Sequence, residues 1–284
     1  MKNEQWVHLY TVRDPVGAAF VGAQLFPAGA PKARVSRERV QNVLRDSFAR
    51  YGLPEEVQTD WEPVLNPPSG DNLPSLFTLW LIGLGILHLN ARPGVATDDA
   101  EVERGHRTLY DYAIADYLDW PLEQLQQHLP QACQEFDHEY PSRAHGCMGS
   151  PPLVAHPELL HNLRTFDHAY ELALFDLRRV DAFLATHIFE RKVGKTGQIS
   201  LGWGEIRYSV GRTWAGQIVQ IRFDPADRSF VAYAQDQPIQ RWKARGVEIE
   251  DIVGFSIATP CPVPQQLPLP LCFQEVSPCE TSQV

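Results

Sequence analysis

The sequence predicts a mixed α/β domain followed by a small all-β module. Strand-like and helix-like patterns alternate over roughly the first 140 residues, which describes a sheet flanked by helices. From 187 to 245 the chain changes to short β-rich runs separated by Gly, Asp or Pro. Charge divides at the same place. Residues 187–245 carry 10 Lys/Arg against 5 Asp/Glu, while 1–186 carry 15 against 25 and 246–284 carry no Lys/Arg and 5 acids. The net charge of −10 therefore hides one basic module between acidic stretches, and only that module suits phosphates.

Trp6–Asp14 is rich in β-branched and aromatic residues and reads as a strand. Pro15-Val16-Gly17 is a turn, and Ala18–Phe26 a second strand, so the pair forms a hairpin. Ser36 is placed to cap a helix reaching about Tyr51, with Val40, Val43, Leu44 and Phe48 on one face. Gly52-Leu53-Pro54 stops it, and Val57-Gln58-Thr59-Asp60 is a short strand. Leu73 to Leu89 is almost wholly apolar over 17 residues, short of the ~20 a membrane span needs, and is broken by Gly83-Leu84-Gly85. It reads as a buried helix, a glycine break and a buried strand at Ile86–Asn90, with no membrane partner. A helix starts near Asp98, with Glu101 completing a capping box, and runs to about Leu118. Another fits Pro121–Tyr140.

Residues 1–155 thus form the α/β unit, 156–186 a helical connector, and 187–258 a small β-barrel. Its strands are expected at 188–193, 198–201, 205–210, 218–223, 230–234 and 239–242. The tail, 259–284, holds six prolines and is expected to be disordered. Five cysteines without CxxC spacing give neither a disulfide framework nor a zinc site. MKNEQWVHLY lacks the apolar run of a signal peptide, so a cytoplasmic location with free thiols is expected.

Four segments carry more specific information. They are Tyr51-Gly52-Leu53-Pro54 with Val57-Gln58-Thr59-Asp60; Arg92-Pro93-Gly94 with Asp98-Asp99-Ala100-Glu101-Val102-Glu103-Arg104-Gly105-His106-Arg107-Thr108-Leu109; Glu139-Tyr140-Pro141-Ser142-Arg143-Ala144-His145 through Pro151-Pro152; and Gly197-Gln198-Ile199-Ser200-Leu201, Tyr208 and Ala215-Gly216-Gln217-Ile218-Val219. In this order they resemble the DDE transposases and retroviral-type integrases, the last one resembling the C-terminal barrel of Mu-type transposases. The resemblance covers about residues 5–245.

It implies an RNase H-like integrase core followed by a small all-β SH3-like barrel. It also implies divalent-metal-dependent DNA strand transfer, Mg²⁺ or Mn²⁺ as cofactor, DNA as partner, and self-association into a homo-oligomer. Such chemistry clusters three carboxylates around two ions about 4 Å apart. Asp60 matches the second carboxylate and Glu103 the third, with 42 residues between them. Each has a plainer reading. An Asp closing a strand often just begins a turn, and Glu103 with Arg107 at i+4 could be a surface pair. Asp98 and Glu101 read as cap groups, and His106 as a helix-face residue.

The sequence departs from the pattern at the family's first aspartate. By resemblance the Trp6–Phe26 hairpin is strands two and three, so strand one and its aspartate are expected upstream of Met1, as is the family's helix-turn-helix. Asp14 ends the wrong strand. The chain then reads as an incomplete core, either an N-terminally truncated enzyme or a non-catalytic DNA-binding remnant. For DNA contact, Arg92, Arg104 and Arg107 flank the proposed site. The barrel adds Arg191, Lys192, Lys195, Arg207, Arg212, Arg222, Arg241, Lys243 and Arg245, with Trp203, Trp214 and Trp242 interleaved. The same cations could be no more than a solvated surface. A third reading is an unrelated SH3-like module that binds protein partners.

Overall fold

Successive residues of a strand face opposite sides, and the first hairpin uses both. The computed structural model describes residues 6–28, 35–59, 65, 73–91, 96–201 and 206–254. Strand β1 (Trp6–Arg13) pairs antiparallel with β2 (Phe20–Ala28), with an irregularity between Val12 and Arg13. Asp14 makes the turn: its carboxylate accepts from the backbone N–H of Val16 and Gly17, an Asx turn.

On β2, Phe26 packs with Val40, Val43, Leu44 and Phe48 of α1 (Arg37–Tyr51). Its neighbour Leu25 packs on the opposite side, with Leu109 and Ala113 of α3 (Ala96–Ala113) and Leu125, Leu129, Ala132 and Cys133 of α4 (Leu122–Glu139). The hairpin is therefore the middle layer of an α/β/α sandwich. Helix α4 also covers the outer edge of β2. Gln126 accepts from the Leu25 N–H at 2.6 Å, and both oxygens of buried Asp137 accept from the Phe20 N–H at 3.1 and 3.0 Å. Burial pushes the Asp137 carboxyl up to about 7, against the Phe20 N–H and the guanidiniums of Arg13 and Arg50, which pull it down.

Strand β3 (Glu56–Thr59) runs parallel to β4 (Leu87–Asn90), with α2 (Leu76–Gly83) as the crossover. The apolar segment resolves into the expected buried helix and a glycine break with Gly85 at φ 73°, but the strand that follows is not buried as expected: it lies at the surface, with Leu87 and Leu89 exposed. Ser75 caps α2 by accepting from the Thr78 N–H, and Phe77, Leu79, Trp80 and Leu81 are each 0 % exposed. Among the described residues, β1 pairs only with β2 and β3 only with β4, so this half contains two ribbons, not one sheet.

The segment after α4 is held by short elements. It contains α5 (Pro152–Ala155), α6 (Glu171–Leu174) and α7 (Leu177–Ala185), with 3-10 turns between them. Arg164 straps it to the first half, donating to the carbonyls of Pro54 (2.7 Å), Leu84 (3.2 Å) and Gly85 (2.9 Å). Glu171, fully buried, binds Arg45 through two hydrogen bonds and accepts from the Trp80 indole at 2.6 Å.

The β-rich half has a four-stranded antiparallel sheet in the order β10–β9–β8–β5 and a two-stranded ribbon, β6–β7. The strands are β5 (Ile188–Lys192), β6 (Gln198–Ser200), β7 (Arg207–Ser209), β8 (Ile218–Asp224), β9 (Ser229–Ala234) and β10 (Gln237–Lys243). Gln235 and Asp236, both at positive φ, close the tight β9–β10 turn. The ribbon shares the sheet's core, with Ile199 and Tyr208 packed among Val219, Ile221 and Phe230. A last helix, α8 (Ile249–Val253), returns to α1: Gln41 donates to the Ile252 carbonyl and Arg45 to that of Val253. One apolar cluster accordingly runs from α1 and α2 through α7 into β5, β8, β9 and α8. Among the described residues no helix is long and apolar enough to cross a membrane. The Pro-rich tail lies outside the described residues.

Candidate nucleic-acid interface

Helix α3 has one buried side and one exposed side. Gly105, Leu109 and Ala113 recur every four residues on the inner side. Gly105 leaves room for the Arg13 side chain of β1, since a Cβ there would lie 2.9 Å from Arg13 Nη1. Glu103, Arg104 and Arg107 occupy the outer side, exposed to solvent. No ion pair joins Glu103 to Arg107 among the described residues. Asp60 and Arg92 lie outside the described residues. Among those described, no group of three His, Cys, Asp or Glu is arranged to hold a metal ion. Glu103 alone does not amount to a donor set for a divalent cation.

Thr59, the residue before Asp60, is held by a chain that sequence reasoning missed. Its hydroxyl bonds His88 Nε2 at 2.9 Å, His88 Nδ1 bonds the Thr78 hydroxyl at 2.9 Å, and that hydroxyl bonds Ser75 Oγ at 3.0 Å. Burial pushes the His88 pKa down to about 4, so the ring is neutral near pH 7, with one nitrogen donating and the other accepting. The alternation Leu87-His88-Leu89 would turn the leucines inward, whereas His88 is the inward residue and both leucines are exposed, and no pattern in the sequence gives its partners.

The basic module divides its cations into two sets. Arg241 is committed to Asp224 (2.9 Å), Asp227 (2.8 Å) and Ser229. Arg222 lies 4.6 Å from the Tyr233 ring centre and 3.5 Å from Asp236, and Arg228 pairs with Asp181 and Glu248. By contrast, Lys192, Lys195, Arg207, Arg212, Lys243 and Arg245 are exposed and have no carboxylate partner among the described residues.

Three of the second set converge on a cleft of about 710 Å³ between β7 and the end of β10, lined by Arg207, Lys243 and Arg245 together with Tyr208, Trp242 and Gln240. Its walls are fixed. The Trp242 indole N–H donates to the Ser209 carbonyl at 3.0 Å. The Arg245 N–H donates to the Tyr208 hydroxyl at 3.0 Å, and its guanidinium sits 5.0 Å from that ring's centre. The Tyr208 and Trp242 ring centres are 5.4 Å apart. Among the described residues, no acidic side chain lines the cleft. The cleft offers phosphate donors and an aromatic wall in one place.

No protein-family model matches this chain, and no curated protein matches it. Solved structures do. A chain of the simian T-cell lymphotropic virus intasome in complex with PP2A regulatory subunit B56 gamma is 18 % identical, with 57 % of this chain and 50 % of that chain covered and a TM-score of 0.38. The present chain thus spans half the length of that relative. The HTLV-2 integrase catalytic core domain in complex with magnesium is 14 % identical in both its trimeric and dimeric forms. The match covers 54 % of this chain and 93 % or 92 % of those, at TM-scores of 0.36 and 0.34.

Proposed function

We propose that this chain is a DNA-handling protein of the transposase and integrase type. Its small β module, read as an SH3-like barrel, grips phosphate backbone. Its α/β half, read as an RNase H-like core, contributes Asp60 and Glu103 toward a Mg²⁺ or Mn²⁺ site for strand transfer. The observation that carries the reading is the set of six exposed cations with no carboxylate partner among the described residues, on a chain of net charge −10. Gathered on one small module, six such groups make a positive surface that a polyanion would complement. The four motif segments in family order supply the direction of the chemistry. By the same resemblance the chain self-associates.

Binding of labelled duplex DNA between about 50 and 200 mM salt tests the reading. If most of the six cations reach phosphates, log K should fall against log salt with a slope of about −4 to −5. Salt-independent or absent binding would leave the module as a protein-binding barrel. A strand-joining assay with Mn²⁺ addresses the second half: joining that Glu103→Gln abolishes supports the enzyme. DNA binding without joining, unchanged by Glu103→Gln, supports a non-catalytic DNA-binding protein.

A further inference from the structure

We infer that the cleft between β7 and β10 is a subsite for single-stranded nucleic acid, with phosphates on Arg207, Lys243 and Arg245 and a base laid against Trp242. The inference rests on the DNA-binding reading and narrows it to a place and a strand state.

Arg207 lies on β7, Lys243 ends β10 and Arg245 follows just beyond it, and all three line the same cleft, so they can meet successive phosphates of one backbone. The cleft, about 710 Å³ and broadly open to solvent, has room for a nucleotide unit laid along its surface. The indole is half-buried and anchored to the Ser209 carbonyl, so little side-chain freedom is lost when a ring stacks on it. Arg245 is held by its own N–H and by the Tyr208 ring, and is likewise set before a ligand arrives. A backbone-only duplex grip would need the cations alone. An aromatic wall adds affinity only when a base is free to leave its stack, which a single strand permits and an intact duplex does not. Tyr208, buried beneath, serves as the platform and not as a stacking face.

Fluorescence anisotropy with a labelled oligothymidylate and a duplex of equal length, at two salt concentrations, tests this. Trp242→Leu should weaken oligothymidylate binding by about 5- to 150-fold and duplex binding by less than about twofold. Trp242→Phe should retain most of the single-strand affinity. Lys243→Gln and Arg207→Gln should each flatten the single-strand salt slope by about 0.7. Should Trp242→Leu fail to fold by circular dichroism, photocrosslinking of a bromodeoxyuridine oligonucleotide to the unaltered chain replaces it, with adducts expected on the peptide carrying Trp242. Adducts elsewhere would overturn the inference, as would equal losses for both DNA forms in Trp242→Leu. Duplex binding without oligothymidylate binding would overturn it while leaving the DNA-binding reading in place; binding of neither would remove both. Displacement of the oligonucleotide by polyglutamate at equal charge would make the cleft an acidic-polymer site instead.

Discussion

Glu171→Ala should be the most damaging single polar change in this fold. The Glu171 side chain is 0 % exposed and that of Arg45 7 %, with the guanidinium bonding the carboxylate at 2.8 and 3.0 Å. The same carboxylate receives the Trp80 indole N–H, and the same guanidinium donates to Asn42 and to the Val253 carbonyl. Removing Glu171 strands a buried cation and a buried indole N–H together. Breaking a buried pair on one side costs about 3–5 kcal/mol, because the surviving charge keeps its desolvation penalty. At roughly 2–4 °C per kcal/mol for a chain of this size, the melting temperature should drop by about 6–20 °C. Urea unfolding followed by circular dichroism measures it. The double variant Arg45→Met with Glu171→Leu removes both charges and should recover most of the loss. A single-variant cost below about 1 kcal/mol, or a double variant no better than the single, would refute the reasoning.

Two buried titrations should oppose each other. The folded pKa of Asp137 is raised from 3.8 to about 7, so the folded state holds a proton the unfolded state has released, and stability falls as pH rises through that window. The folded pKa of His88 is lowered from 6.5 to about 4, so stability falls as pH drops through its window. Asp137→Asn should therefore expose acid destabilisation, and His88→Gln destabilisation toward neutral pH, each on the order of 2–4 kcal/mol; urea midpoints across the range that are unchanged by either substitution would contradict both. Gly52, at φ 81°, leaves no room for a side chain: a Cβ would fall 2.7 Å from Asn162 Cβ and 2.9 Å from the Arg164 carbonyl. Gly52→Ala should cost about 1–3 kcal/mol by denaturant unfolding, and a neutral result would count against the strap at 162–164. Cys133, whose thiol burial pushes up to about 12, should resist disulfide reagents until the chain unfolds, and stoichiometric labelling of the native protein would show that pocket to be open.

Local pattern made the elements legible. The first hairpin, α1, α2 and all six β-module strands fall within about three residues of where alternation and turn residues put them. Helix α3 stops at Ala113, not near Leu118, because the 3-10 turn Ala115–Tyr117 takes over. The short helix α8 was not foreseen: five residues give too little periodicity to read. Partnership was the part the sequence could not carry. Arg45 finds Glu171 across 126 positions, and the Thr59–His88–Thr78 chain joins two strands and a helix. Among the cations of the β module, Arg207, Lys243 and Arg241 looked alike in sequence, but the end of β8 and the β8–β9 turn bring Asp224 and Asp227 to Arg241 and to neither of the others.

The docking of α8 on α1, closed by Gln41 to Ile252 across 211 positions, bears on how the chain is made. Synthesis runs from the N-terminus, so α1 and α2 leave the ribosome long before the helix that seals them. During that interval Trp80, Phe77 and their neighbours lack the cover that α7, the β module and α8 later supply, so this apolar surface stays open to contacts with other chains until the C-terminal segments emerge.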